Sequence, residues 1–490
     1  PIIPVYDEGT SVDADGNRNS FGGSKTANTG NSSNPVAMLY RGKDNNNFTN
    51  NILGNVYAEI TPITGLTFRT SYNVNLSNYN GVNFSFRTPE NQENQGAQNF
   101  SEYFGTSYGT IFSNTINYTK TLSERHNIGV LVGYESQDSK TRNLNGSLNN
   151  YFSIDPNIWY LNAAFGQADT RQVGSNGNQS RLLSMFGKVD YSLDDKYFLS
   201  ATVRRDGSSK FSPANRYAVF PAVSAAWRIS GEDFMKDGMF DDLKLRLSWG
   251  KTGNQAIPDY NFVDRWGGSI GSAFYAIDGS NNSATTGYHL TAIGTDALNS
   301  PTKWEEGETA NIGIDATLLD NKLGVVVDVY RRKTNDLLYN SALPGTVGFV
   351  TVPFRNVASM QNTGFDFQIT WRDNISKDLS YNIDFNLGRY VNEILKVDDA
   401  VDFFYPNGQQ GVIDNRLSTN ININKVGFPI SSFRGFVVDG TFQTQADLDA
   451  IEQNPGEVIG GLRFKDLNGD KVINDSDYDI IGNPHPDFFG

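Results

Sequence analysis

One segment, from Asp466 to Asp477, carries oxygen-bearing residues at the spacing of an EF-hand-like calcium loop. The predicted Ca²⁺ ligands are Asp466, Asn468, Asp470, the backbone carbonyl of Val472, Asn474 and Asp477. Position 6 of the loop is Lys471, where the motif has glycine, and Asp477 is shorter than the usual glutamate. The pattern predicts a structural Ca²⁺, and the alternative is an Asx-rich loop whose side chains bond to the backbone.

Two carboxylate doublets, Asp194-Asp195 and Glu305-Glu306, are the other residues that could do chemistry, as the acid pair of a glycosidase. Neighbouring residues of a strand point to opposite faces, so neither doublet forms a pair on one face, and solvated turn residues are the favoured interpretation. The three histidines lie far apart in the sequence, at His126, His289 and His485. This spacing favours neither a histidine metal cluster nor a Ser/His/Asp triad, and we expect no enzyme.

Paired aromatic residues in the longer predicted loops could bind substrate, because sugar rings stack on aromatic faces and peptides pack against them. The candidate substrate-binding residues are Trp159, Tyr160, Phe274, Tyr275, Phe403 and Tyr405. Packing of the long loops on each other, or on a lid, is the alternative for each residue.

The elements that position these residues are β-strands, because apolar and polar residues alternate with a period of two throughout the chain. The clearest examples are 66–76, 243–249, 311–318, 365–372 and 382–387. Several strands could run to about 9–11 residues, the length that crosses a membrane. A soluble β-sandwich also alternates, so alternation does not by itself decide between the two.

The connections between the predicted strands alternate between short and long. Leu193 to Lys196 and Leu319 to Lys322 are short, whereas Thr252 to Trp304 is very long. Aromatic residues cluster near the short connections, at Tyr118, Tyr191, Tyr197, Trp227, Trp371 and Tyr381. Short turns on one side, long loops on the other and an aromatic girdle are typical of a transmembrane β-barrel. Ordinary cross-strand aromatic pairing is the alternative to the girdle.

Bulk composition limits the function classes. The 490 residues carry a formal net charge of −14, which argues against nucleic-acid binding. There is no cysteine, hence no disulfide framework and no thiolate metal site. No apolar run approaches the roughly 18 residues of a transmembrane helix, and we expect no signal peptide within these 490 residues. We therefore expect an all-β protein in a lipid bilayer, with a surface-anchored glycan-binding protein and a β-fold carbohydrate-active enzyme as alternatives.

Several short strings, weak individually, occur here together and in order. They are RRDGSSKF at 204–211, NRY at 215–217, SAAWRIS at 224–230, LSWGKTGNQ at 247–255, TANIGID at 309–315, NTGFD at 362–366 and VDGTFQ at 438–443. Together they resemble the SusC/RagA family of TonB-dependent outer-membrane transporters. The resemblance begins near residue 34 and continues almost to residue 490.

This resemblance implies an antiparallel transmembrane β-barrel of the 22-stranded, plugged type with long extracellular loops, in the bacterial outer membrane. It also implies import of oligosaccharides or peptides, energy delivered through TonB, and a SusD-like lipoprotein as a lid. By spacing, the chain holds roughly fifteen to eighteen strands. Residues 1–490 are therefore expected to be an incomplete barrel domain that lacks the plug and N-terminal domains. We expect a long outer-loop region at about 393–490, which would make the Ca²⁺ of Asp466–Asp477 structural.

Overall fold

A computed structural model describes residues 5, 21–24, 33–88, 90–91, 96–162, 166–236, 238–263, 266–267, 289–290, 301–340, 354–397, 402–406, 421–453 and 457–488. The described chain is mostly β-strand, as the alternating sequence predicts. No helix within these residues is long and apolar enough to cross a membrane.

Twelve long strands form one sheet in which each strand is hydrogen-bonded to its neighbours along the chain. They are β1 (Asn46–Ile63), β2 (Leu66–Ser85), β3 (Asn99–Leu122), β4 (His126–Leu148), β5 (Gln172–Leu193), β6 (Tyr197–Ser208), β7 (Tyr217–Arg228), β8 (Phe240–Asn254), β11 (Glu305–Leu318), β12 (Leu323–Asn340), β13 (Phe354–Ser376) and β14 (Leu379–Lys396). Between β8 and β11, β9 (Trp266–Gly267) pairs with β10 (His289–Leu290). The sheet is antiparallel, which confirms the predicted fold class.

The strands of this sheet are longer than the sequence pattern suggested. They run from 12 residues in β6 to 24 residues in β3, against the expected 9–11. Because each strand uses more of the chain, the described residues hold twelve long strands and not the roughly fifteen to eighteen expected from spacing.

Smaller elements flank the sheet. They are helix α1 (Pro35–Gly42), helix α2 (Gln445–Ala450) and strands β15 (Phe403–Phe404), β16 (Asn422–Lys425), β17 (Ser432–Phe436), β18 (Val438–Thr441), β19 (Leu462–Phe464) and β20 (Tyr478–Gly482). β15, β16, β17 and β20 pair in that order, and β18 pairs with β19. Asn34 caps α1 by accepting hydrogen bonds from the backbone amides of Val36 and Ala37.

The short connections are tight hairpin turns. Asp194 and Asp195 link β5 to β6 with φ angles of 55° and 52°. Two consecutive positive φ values are the type I′ geometry that matches the twist of two-residue hairpins. Leu319, Asp320 and Asn321 likewise have positive φ between β11 and β12. Both short turns predicted from the sequence are therefore confirmed, and we call this side of the sheet the short-turn end.

The chain divides into two compact units. The first comprises residues 1–58, 70–113 and 135–181, and the second comprises 59–69, 114–134 and 182–490. The first contains a buried cluster of Phe84, Phe100, Leu148, Tyr151 and Trp159. The second contains a buried cluster of Phe211, Phe220, Ile257, Trp304 and Leu338. Each cluster packs loop residues against strand ends.

Candidate functional site

The strands of the second unit have one apolar and one polar face, as the alternation predicts. Cross-strand partners share a face, so the register places Leu247 beside Ile312 and Ile312 beside Val329. Ile312 is 56 % exposed and Val329 is 53 % exposed. Since such a row of aliphatic side chains is costly in water, this face requires an apolar environment.

The polar face of the same strands carries a charge network centred on Arg246 of β8. Its guanidinium donates two hydrogen bonds to Asp315 of β11, at 2.8 and 2.7 Å, and two to Asp328 of β12, at 3.1 Å each. Gly313 lies between these groups, and a Cβ there would come within 2.4 Å of Asp328 Oδ1. Because glycine has no side chain, position 313 leaves room for the side chains of this network.

A cleft of about 650 Å³ opens on this polar face near the short-turn end. Its lining includes Asp190, Ser200, Lys244 and Arg246. Lys188 and Ser200 both bond to Asp190, at 2.9 and 2.7 Å, whereas the Lys244 amine lies 4.8 Å from the ring centre of Phe198. Charges of both signs therefore face the cleft, a surface suited to polar ligands or to a polar protein segment.

Aromatic residues lie at the short-turn end of the apolar face, as the predicted girdle requires. Tyr197 and Trp227 stack at 6.4 Å, and both donate hydrogen bonds to Glu232, at 2.6 and 3.1 Å. These bonds, with Lys196, hold the pKa of the Glu232 carboxyl below its usual range. On β13 and β14, Trp371 donates to the hydroxyl of Tyr381 at 3.1 Å. Rings with an apolar body and a bonded polar tip suit a membrane interface.

The turns at the short-turn end also bond to each other. Arg125 donates two hydrogen bonds of 2.6 Å to the Asp194 carboxylate, which lowers the pKa of Asp194. The backbone amide of Asp194 donates to the carbonyl of Arg125 at 2.8 Å. Asp194 is thus a turn residue with a partner on the neighbouring hairpin, in line with the expected turn role.

The Glu305-Glu306 doublet is also used in structural bonds. Glu305 accepts from the backbone amide of Leu338 at 2.9 Å, and Glu306 pairs with Lys251 at 2.9 Å. The two carboxylates bind different strands and do not converge on a common point. In the part of the chain that the structure describes, no group of three or more His, Asp and Glu side chains is arranged to hold a metal.

Several of the ordered sequence strings meet in the buried cluster at the other, long-loop end of the second unit. The ring of Trp304 lies 5.1 Å from Phe211 and 5.5 Å from Phe220, and its indole N–H donates to the carbonyl of Arg216 at 3.1 Å. The Lys210 amine donates to the Ile257 carbonyl at 2.9 Å. Residues of these sequence strings therefore attach loops to strand ends, which is a structural role.

The predicted substrate-binding aromatics differ in exposure. Trp159 is 6 % exposed and stacks on Phe84 at 4.7 Å, whereas its neighbour Tyr160 is 59 % exposed. Phe403 is 40 % exposed and lies 5.5 Å from Tyr405. Tyr405 is held in place, since its hydroxyl accepts from Arg434 and its carbonyl accepts from Tyr339. Tyr160 and Phe403 thus present the most free ring surface of these four. Phe274 and Tyr275 lie outside the described residues.

The predicted calcium loop is compact and wraps around its own carboxylates. Asp466 accepts from the amides of Gly469 and Lys471, at 2.6 and 2.8 Å, and Asp470 accepts from the amide of Val472 at 2.8 Å. Asp477 is fully buried and accepts from the amides of Asn474 and Leu467, bonds that hold its pKa below the usual range.

These bonds match the Asx-rich alternative, but a carboxylate has about four lone-pair positions and can bind a cation as well as a backbone amide. The donor set is hard oxygen, which fits Ca²⁺, and occupancy by calcium stays a prediction.

Comparisons with known proteins identify the family. A family model described as "TonB dependent receptor-like, beta-barrel" matches residues 5–483. TonB-dependent receptor P3 of Formosa agariphila is 32% identical over 436 residues, 89% of this chain and 42% of that protein. TonB-dependent receptor SusC of Bacteroides thetaiotaomicron is 31% identical over 324 residues, 65% of this chain and 30% of that protein. The chain thus spans less than half the length of these relatives.

A solved structure has the same fold. The RagAB peptide importer in its "open-open" state superposes with a TM-score of 0.70 at 23% identity, covering 92% of this chain and 45% of that one. The predicted SusC/RagA resemblance and the barrel fold class are both confirmed.

Proposed function

Because the chain belongs to the TonB-dependent receptor-like β-barrel family, in its SusC/RagA branch, we propose that it forms part of the wall of an active outer-membrane importer. The chain lies in the bacterial outer membrane, with the long-loop end outside and the short turns in the periplasm. Energy would come from TonB, and the substrate would be an oligosaccharide or a peptide.

The observation that carries this proposal is the pair of opposite faces on the same strands. The row of Leu247, Ile312 and Val329 suits contact with lipid, while Arg246, Asp315 and Asp328 on the other face suit a wet lumen. A wall of this kind pairs its backbone groups between strands, as the hydrocarbon region demands. It also presents charges where a polar substrate or a plug would pass.

The partner and the substrate site are proposed from the outer loops. Tyr160 and Phe403 expose ring surface that could contact a sugar or a peptide, or a SusD-like lipoprotein lid. Residues 421–488 carry the small strands β16 to β20 and the predicted calcium loop, and we assign them to the outer-loop region predicted at about 393–490. A Ca²⁺ bound there would stiffen the loop.

The family is of transporter and receptor type, and the carboxylates of Asp194, Glu305 and Glu306 form structural bonds. We therefore propose that the protein carries its substrate across the membrane without covalent chemistry.

An uptake assay in the source bacterium tests this function. Deleting the gene should abolish energised uptake of one class of labelled substrate, either oligosaccharides or peptides too large for porins. Re-expression should restore uptake, and removal of TonB or collapse of the proton gradient should abolish it again. Unchanged uptake of both classes, or uptake that persists without TonB, would refute the importer assignment.

A further inference from the structure

The apolar face of the second unit contains a groove of about 550 Å³ that crosses strands β6 to β13. Two adjacent cross-strand rows line it. In the first row, Ala225 lies between Leu199 and Leu247, and in the second, Ala310 lies beside Trp249. Because alanine side chains are smaller than the leucine and tryptophan side chains beside them, they leave a depression in the surface of the sheet. The groove therefore depends on alanine at these two positions, and an apolar face of uniformly large side chains would not have it.

A cation lies at one side of this groove. Arg331 lines it, on the same row as Ala310, and Lys333 follows on the same face of β12. Within the described chain, neither Arg331 nor Lys333 has an ion-pair partner. Of the carboxylates on this face, Glu306 pairs with Lys251, and Glu308 accepts a hydrogen bond from the Trp249 indole at 2.9 Å. The register places Glu308 opposite Lys333, whereas Arg331 lies opposite the uncharged residues Ala310 and Thr363.

The depth of these cations follows from strand geometry. Arg331 is eight residues beyond Leu323, where β12 leaves its periplasmic turn. At about 3.3 Å per residue this is about 26 Å along the strand, or about 20 Å along the membrane normal for a tilt of about 40°. The apolar band of such barrels is about 25 Å tall, so Arg331 lies near its outer edge. Arg205 is likewise eight residues beyond Tyr197, and its guanidinium lies 4.1 Å from the ring centre of Tyr217.

We propose that this groove binds an acyl chain of a phosphorylated glycolipid of the outer leaflet, and that Arg331 and Lys333 bind its phosphate. The two apolar rows provide the surface for the acyl chain, and the Arg331 guanidinium, which has no ion-pair partner among the described residues, is placed at the level of the headgroup. Arginine binds phosphate with two parallel N–H donors, and it is less strongly hydrated than lysine. The site lies on the opposite face of the sheet from the cleft at Arg246, so it is independent of the transport pathway.

Three variants of the protein, purified from outer membranes, separate charge from shape. Arg331→Gln with Lys333→Gln removes the phosphate ligands, and Ala310→Phe fills the groove without a change of charge. Arg332→Gln is the matched control, because Arg332 is the neighbouring cation on the polar face. Retention of the heat-modifiable electrophoretic mobility of a folded barrel would show that each variant is intact.

The measurement is native mass spectrometry of delipidated protein titrated with diphosphorylated lipid A or with its dephosphorylated form. Each lost cation should weaken binding of the phosphorylated probe about five-fold, so the double variant loses about 25-fold and the dephosphorylated probe is unaffected. Ala310→Phe should weaken both probes, and Arg332→Gln neither. Equal binding by the double variant and the Arg332→Gln control would overturn the proposal. So would equal affinity for phosphatidylglycerol, or a second copy of the chain that occupies the face in place of lipid.

Discussion

The charge network on the polar face should make Arg246 the most sensitive cation of the barrel wall. Replacing it with glutamine leaves Asp315 and Asp328 without the guanidinium that now bonds both. The side chains are partly exposed, at 33 %, 38 % and 20 %, so each pair lies between the surface and the buried case. Allowing about 1 kcal/mol for each two-bonded pair, we expect Arg246→Gln to lower the free energy of unfolding by about 2 kcal/mol.

The assay is urea unfolding of the protein refolded into lipid vesicles, followed by loss of heat-modifiable mobility. Lys244→Gln is the control, because Lys244 lies on the same strand and polar face but rests over the Phe198 ring and has no ion-pair partner among the described residues. Adding Asp315→Asn and Asp328→Asn to Arg246→Gln should recover part of the loss, since the unpaired carboxylates are then neutral. Equal effects of Arg246→Gln and Lys244→Gln, or no recovery, would refute the reasoning.

Three further results are expected. Trp304→Ala should lower the free energy of unfolding by about 3–5 kcal/mol, because it leaves a cavity in the buried cluster and removes the donor to the Arg216 carbonyl. Limited proteolysis of this variant should then cut the long-loop end first. The bonds to the Asp477 carboxylate should stabilise the loop above the usual aspartate pKa of about 3.9 and be lost as pH falls through the lower folded-state pKa. The protection factor of the Leu467 amide, its intrinsic exchange rate divided by the observed rate, should therefore fall below about pH 4, and Asp477→Asn should show that low protection already at about pH 7. Millimolar Ca²⁺ should slow the same exchange, and Asp470→Asn should weaken that response.

Outcomes in the opposite direction would be equally informative. An intact long-loop end in Trp304→Ala would mean that the cluster does not hold those loops. A Leu467 protection factor that is independent of pH would mean that the Asp477 bonds do not close the loop. No effect of Ca²⁺ at millimolar concentration would leave the segment as an Asx-rich loop alone.

The faces and turns of the sheet were predictable from sequence because they depend on local rules. Period-two alternation in 243–249 and 311–318 gave the correct faces of β8 and β11. The doublet Asp194-Asp195 between two alternating runs marked a hairpin turn, and its positive φ values explain why acidic turn residues occur there. Strand lengths were underestimated, because alternation weakens where strands extend beyond the membrane into polar surroundings.

The site residues were not predictable in the same way, because they depend on register between distant strands. Arg246 meets Asp315 and Asp328 across 69 and 82 residues of sequence. Each is one polar residue among many in an alternating strand, and only the cross-strand pairing brings them together. Similarly, nothing local distinguishes the buried Trp159 from the exposed Tyr160 beside it, since both lie in the connection between β4 and β5 and the burial of Trp159 depends on Phe84 of β2.

Cysteine scanning along β12 tests most directly whether this sheet separates lipid from a wet lumen. The chain contains no cysteine, so single substitutions from position 324 to 329 can carry a spin label without background from these residues. In vesicles, labels at Val325, Val327 and Val329 should collide with lipid-dissolved oxygen. Labels at Gly324, Val326 and Asp328 should collide with a water-soluble nickel chelate instead. A strict period of two with this phase is the predicted result, and an absent or inverted alternation would contradict the membrane-barrel account.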